Sequence, residues 1–250
     1  MTDAHGLTDI GCVREKNEDR ILLDQSLGLF VVADGMGGHS HGEMAAELGI
    51  ATMQHYIESS RDRLDVTWPY GYNFDLSIDA NRLSTSIQLA NSQVWRQAEQ
   101  APEYAGMGTT IAAVLVSDNK LTVGNVGDSR VYLWHGGSLE QLTQDDTWVK
   151  AISGRGNQID VSRHPLRNFL TQAAGSKGMV DVHTAEADLA PGDLLLLCSD
   201  GLHGFVPDAE IAAAMGAGPS LKGIAANLMQ HAKDAGGLDN ISVILLACSA

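Results

Sequence analysis

Six short apolar runs limit how this chain can fold. They are Leu29 to Ala33, Ile111 to Val116, Leu121 to Val126, Val131 to Trp134, Asp193 to Cys198 and Ile241 to Ala247. Each has the length of a buried strand and is too short for a core helix. Asp118-Asn119 separates the second and third runs as a hairpin turn would, and Gly136-Gly137 ends the fourth. Other stretches carry helical spacing. Met44, Leu48, Ala51 and His55 form one stripe, and Leu83, Ile87, Ala90 and Val94 form another. A third helix is expected from Ser220, an N-cap after Pro219, to a stop at Gly236-Gly237. The strands come in neighbouring groups with helices between the groups, a pattern of α+β layers rather than regular βαβ alternation. No repeat or Pro/Ser-rich linker interrupts the chain, so one domain over residues 1–250 is expected. Residues 61–76 read as a surface excursion. Residues 145–178 read as a flap between strand groups, where functional loops often sit.

Charge narrows the function. Sixteen basic residues stand against 31 acidic ones, a net charge of −15. That balance excludes phosphate-backbone binding as the main activity and disfavours anionic membranes, so neither a nucleic-acid nor a membrane partner is expected. The start of the chain lacks the basic and apolar stretches of a signal peptide. No segment approaches the roughly 20 apolar residues of a membrane span. Cys12, Cys198 and Cys248 are far apart and odd in number, which suits unpaired thiols and a cytoplasmic location. Cys198 lies in an apolar run and reads as core.

The carboxylates are less ordinary. The run 29–33 stops on Asp34, followed by Gly35, Gly37, Gly38 and Gly42. "LTVGNVGDSR" offers Asp128 after Gly127, "DLLLLCSDGL" offers Asp200 before Gly201, and "GGLDNISVILL" offers Asp239 before a strand. "REKNEDR" adds Glu18 and Asp19 near the start. Taken alone, an Asp-Gly pair after a strand is a common turn. Together, carboxylates gathered at strand ends would repel and raise each other's pKa. Divalent cations remove that cost, and oxygen-only ligands point to Mg²⁺ or Mn²⁺ rather than Zn²⁺. Glycine beside them lets backbone approach an ion closely.

In order along the chain stand "VREKNEDR" (13–20), "VVADGMGGHSHGE" (31–43), "GMGTTIAAVL" (106–115), "VGDSRVYLW" (126–134), "LTQDDTWV" (142–149), "LLLLCSDGL" (194–202) and "DNISVILL" (239–246). This series resembles the metal-dependent Ser/Thr protein phosphatases of the PPM family, protein phosphatase 2C type, in their bacterial form. The resemblance implies a four-layer α-β-β-α sandwich with two packed antiparallel β-sheets. It implies hydrolysis of phosphoserine and phosphothreonine by in-line attack of a metal-bridging hydroxide, without a phosphoenzyme. By position, Asp34 would bridge two core ions, Gly35 would give its carbonyl to one, and Asp200 and Asp239 would hold the other. Glu18 and Asp19 would contact metal-bound waters, and Asp128 with Asp200 would hold a weaker third ion. Arg14 would grip the substrate phosphate. Phosphorylated protein substrates and an opposing Ser/Thr kinase are the implied partners, and a monomer is expected.

Two features depart from the family pattern. Where some members carry a histidine after "DG" as general acid, this chain has Met36; His39 and His41 lie nearby. The flap keeps a family pattern at His164, Pro165, Arg167, Asn168, Leu170, Thr171, Ala173 and Gly175, but its first half is glycine-rich. Rival readings are weak. "DGMGGHSHG" is not GxGxxG, and GxxxxGK[ST] does not occur. A pseudophosphatase serving as a binding module is the remaining alternative, and it would be favoured by loss of Asp34, Asp200 or Asp239; all three are present.

Overall fold

The computed structural model describes residues 2–37, 41–63, 65–100, 102–153, 169–218 and 220–248. Two antiparallel sheets carry the fold. The first has the order β1 (Thr2–Asp9), β11 (Ile241–Cys248), β10 (Leu194–Cys198), β7 (Arg130–His135), β8 (Ser138–Gln141). The second runs β2 (Asp19–Asp24), β3 (Leu29–Met36), β5 (Ile111–Ser117), β6 (Lys120–Val126), β9 (His183–Asp188), with the short β4 (Gly108–Thr109) paired to β3.

The continuous apolar runs have a simple cause: both faces of their strands are covered. Phe30, Val32, Ala112, Val114, Leu195, Leu197, Ile244 and Leu246 meet between the two sheets. The alternate residues point outward to helices. Val31, Ala33, Ile111 and Ala113 pack under α1 (Gly42–Ser60) and α2 (Ile78–Gln100). Leu196, Cys198, Val243 and Leu245 pack under α4 (Asp200–His203), α5 (Asp208–Ala217) and α6 (Leu221–Asp234). The layers are therefore helix, sheet, sheet, helix, and Cys198 is core.

Both turns take the conformations their residues favour. Asp118 adopts φ 53° between Ser117 and Lys120, and Gly136 and Gly137 adopt φ 56° and 90° between His135 and Ser138. Ser220 caps α6, its Oγ accepting from Gly223 N at 3.2 Å.

One expected helical face is wrong. Of the stripe Met44, Leu48, Ala51, His55, only Leu48 packs inward, against Ala45, Val94, Ala98 and Met107, and α1 buries Ala46, Ile50, Met53 and Ile57 on the sheet instead. Ala45, Ala46 and Gly49 are small, so the start of α1 sits close on the sheet, while Ile50, Met53 and Ile57 fill the core further along. The stripe Leu83, Ile87, Ala90, Val94 of α2 is fully buried as expected.

Residues 65–77 are turns and irregular backbone, with Trp68 and Tyr72, and Tyr72 and Phe74, in edge-to-face contact. Of the flap, residues 154–168 lie outside the described residues, and with them His164, Pro165, Arg167 and Asn168. Its base is paired: Thr147 bridges Leu170, and Trp148 N donates to Phe169 O at 2.8 Å. The short helix α3 (Trp148–Ser153) leads into it.

Candidate active site

The ends of β3, β6, β10 and the start of β11 converge on one cleft of about 350 Å³. Arg14, Glu18, Asp34, Gly35, Asp128, Asp200 and Asp239 all line it, so seven of the eight candidate residues meet there. The eighth, Asp19, lies behind the cleft. It is fully buried, and its Oδ2 accepts from Ser199 Oγ at 2.8 Å.

Asp34 is held differently from expectation. β3 does not end there; it runs on to Met36, because Gly35 and Met36 pair with Thr109 and Gly108 of β4. Asp34 N donates to Thr110 Oγ1 at 3.1 Å, and Asp34 O accepts from Thr110 N at 2.8 Å. The carboxylate thus rises from a fixed ladder position rather than a loose loop. Gly35 has a packing reason of its own: a Cβ there would stand 2.1 Å from Gly42 O and 2.7 Å from Glu18 O. The start of α1 and the approach to β2 both press on this backbone.

Asp200 opens α4 directly after β10, and a Cβ on the next residue, Gly201, would fall 1.9 Å from Asn240 O. That contact draws Asp200 toward Asp239. Asp239 accepts from Arg14 Nη2 through Oδ2 at 2.7 Å and from Asn240 N through Oδ1 at 2.8 Å. Asn240 was not foreseen. Its Oδ1 accepts from Glu18 N at 2.9 Å, and its Nδ2 donates to Ile10 O and Lys16 O at 3.0 and 2.8 Å. It fastens the segment carrying Arg14 and Glu18 to the start of β11; its place next to Asp239 in "DNISVILL" was the signal in the sequence. Asp128 follows Gly127 at φ 97°, near the Arg130–Asp145 ion pair. Met36 lines the cleft. His41 stands edge-on to Tyr104 and is not among the lining residues; His39 lies outside the described residues.

The electrostatics are those of a site short of positive charge. Burial, then Asp19, Asp200, Asp128 and Asp239, hold the Asp34 carboxyl well above the usual range. Burial, then Asp128 and Asp239, push Asp200 up to about 8. Burial raises Asp19 and Asp128 each to about 6. Arg14 is raised as well, its guanidinium held charged chiefly by the hydrogen bond to Asp239. Asp19 Oδ1 and Asp200 Oδ1 are buried without a hydrogen-bond partner. No three His, Cys, Asp or Glu side chains among the described residues already close as a ligand group; Asp239 is engaged with Arg14 instead. Oxygen-only donors, mutual repulsion and two orphaned carboxylate oxygens fit hard divalent cations.

Comparison with known proteins agrees. Residues 14–241 match the family model for Protein phosphatase 2C. The chain is 34% identical over 248 residues to the serine/threonine phosphatase stp of Listeria welshimeri, covering 96% of this chain and 93% of that protein. It is 36% identical over 240 residues to the serine/threonine protein phosphatase PstP of Mycobacterium tuberculosis, covering 95% of this chain and 43% of that protein. A structure of the catalytic domain of PstP in complex with two manganese ions matches with a TM-score of 0.83 and 32% identity, over 100% of this chain and 99% of that one.

Proposed function

The chain belongs to the protein phosphatase 2C family and is a serine/threonine phosphatase; from that premise we propose that its acidic cleft hydrolyses phosphoserine and phosphothreonine in proteins by direct attack of water. One observation carries the proposal: both sheets deliver Asp34, Asp200 and Asp239 to one cleft with Arg14 beside them.

Asp34, Asp200, Asp239 and the Gly35 carbonyl would hold two core ions, with Glu18 and Asp19 contacting them through water. Asp128 with Asp200 would hold a weaker third. Two divalent ions bound there lower the pKa of water and offset charge on the phosphoryl oxygens. Oxygen donors accept either Mn²⁺ or Mg²⁺.

The protein's own groups supply position and charge. Thr110 and β4 fix the Asp34 backbone, so its carboxylate costs little reorganisation. Arg14 presents a planar fork suited to two phosphoryl oxygens, and it shares that duty with Asp239. Attack runs in line on phosphorus without a covalent enzyme intermediate. A thioether cannot donate a proton, so Met36 does not replace a general acid. The leaving serine or threonine oxygen takes its proton from water in the cleft.

The substrate proteins are the targets of an opposing Ser/Thr kinase, and the enzyme acts as a monomer. Free Cys12, Cys198 and Cys248 support a cytoplasmic setting. Among the described residues no helix is long and apolar enough to cross a membrane.

Hydrolysis of a phosphothreonine peptide, measured with chelator and then with Mn²⁺ or Mg²⁺ restored, tests the proposal. Activity should vanish with chelator and return with metal. No turnover with either metal, in folded protein that binds it, would overturn the reading.

A further inference from the structure

We propose that Asp146 is a positioning residue that sets two walls of the catalytic cleft at once, the Gly127–Asp128 turn and Leu170, and that His183 holds it in place. The proposal rests on the phosphatase reading for what the cleft does, but not for how Asp146 is held.

Asp146 is buried just ahead of α3. Its Oδ2 accepts from Gly127 N at 2.9 Å, and its own N–H donates to Gly127 O at 2.9 Å. These two bonds pin the turn that presents Asp128. Gly127 cannot be fixed by a side chain of its own: a Cβ there would stand 2.7 Å from Thr110 Cγ2, and its φ is 97°. On the other side, Asp146 O accepts from Thr171 N at 2.8 Å, and Oδ2 also accepts from Gln172 Nε2 at 2.8 Å. Those bonds hold the residues that follow Leu170, a lining residue of the cleft.

His183, on the edge strand β9, completes the set. Its Nε2 lies 2.8 Å from Asp146 Oδ1. A carboxylate only accepts, so Nε2 carries the proton. Asp146 therefore meets three side-chain-directed donors with two oxygens, and both oxygens are satisfied by protein. That separates it from Asp200, whose Oδ1 has no partner. Asn at 146 would turn an amide N–H toward one of those donors and leave it unmet.

The test combines kinetics with amide exchange. In His183→Ala, kcat/KM for a phosphothreonine peptide should fall by about tenfold, the lower end of what loss of an outer partner costs. The fall for p-nitrophenyl phosphate, too small to lean on Leu170, should be smaller. His183→Gln, which keeps a donor toward Asp146, should recover most of the loss. In a Leu170→Ala background the peptide-specific part of the His183→Ala loss should disappear. Asp146→Asn should show the same pattern, enlarged. Exchange of the Gly127 amide should quicken in His183→Ala. Unchanged Gly127 exchange, equal losses for both substrates, equal losses in His183→Ala and His183→Gln, or an additive effect with Leu170→Ala would overturn the proposal. Wild-type protein inactive toward both substrates would instead sink the phosphatase reading, and Gly127 exchange would still decide the clamp.

Discussion

Asp19 and Asp34 are directly opposed Cα partners in the β2–β3 ladder, so a carboxylate that lines the cleft and one buried behind it share one position of the sheet. Like charges placed opposite each other destabilise a sheet. Here the cost is compounded by Asp200 and Asp239, which both act on Asp34. On the proposed reading, cations held by these carboxylates would relieve this repulsion.

The repulsion gives stability a pH dependence of known sign. The folded-state values of Asp19, Asp128, Asp200 and Asp34 lie above the ordinary 3.8, so the folded state binds more protons than the unfolded one. Their contribution is fully present below the unfolded value and is lost as pH rises through 6 and then 8. His203 works in the opposite sense: burial holds it neutral, down to about 3, so its contribution is present above 6.5 and lost as pH falls. The interval from 6.5 to 8 therefore reports mainly on Asp200. Chelated protein should lose thermal stability across that interval, and added Mn²⁺ should restore most of it at the upper end. A chelated protein equally stable at both ends would contradict the account.

Arg14 is half-exposed and touches Asp239 rather than the deeper carboxylates. Arg14→Ala should raise KM for a phosphopeptide by roughly tenfold, the value of one charge-assisted contact, with a smaller effect on kcat. Arg14→Lys should recover only part, because an ammonium lacks the planar fork. Steady-state kinetics on both variants, with Mn²⁺ stoichiometry measured alongside, decides this. Loss of bound metal in Arg14→Ala would move the residue from substrate to metal support.

Two glycines separate close approach from spare room. Gly35→Ala drives a methyl into backbone at 2.1 and 2.7 Å, which cannot swing aside. It should destabilise by about 1–3 kcal/mol or more, seen as a lowered denaturation midpoint. Gly49→Ala, inside α1, would meet only Thr109 Cγ2 at 3.5 Å. It should be neutral or stabilising, by up to about 1 kcal/mol from helix propensity. A reversed order of the two variants would show that the approach of α1 to β3 is not what fixes Asp34.

Much of this was legible because the central strands are covered on both faces. Strands such as β3, β5, β10 and β11 betray themselves as unbroken apolar runs. The edge strands β1, β2, β8 and β9 were not seen, because sequences such as "TDAHGLTD" and "HTAEAD" carry exposed polar residues and no such run. The core face of α1 is hard to read from sequence, since small alanines packed against a sheet carry less apolar signal than an exposed Met44. At the site, Asp34, Asp128, Asp200 and Asp239 stood out as carboxylates beside strands. Asn240 and Asp146 did not, because each acts through hydrogen bonds to segments remote in sequence. Spacing holds no trace of such bonds.

The central claim is that Asp34 belongs to a cation site on which turnover depends. Calorimetric titration of Mn²⁺ into chelator-treated, dialysed protein tests it most directly, comparing wild type with Asp34→Ala. Wild type should bind two ions; the variant should lose binding at one site or both, and its turnover should fall by more than the roughly 10–100-fold that loss of an outer-shell partner costs. Two-site binding and full turnover in folded Asp34→Ala protein would contradict the claim.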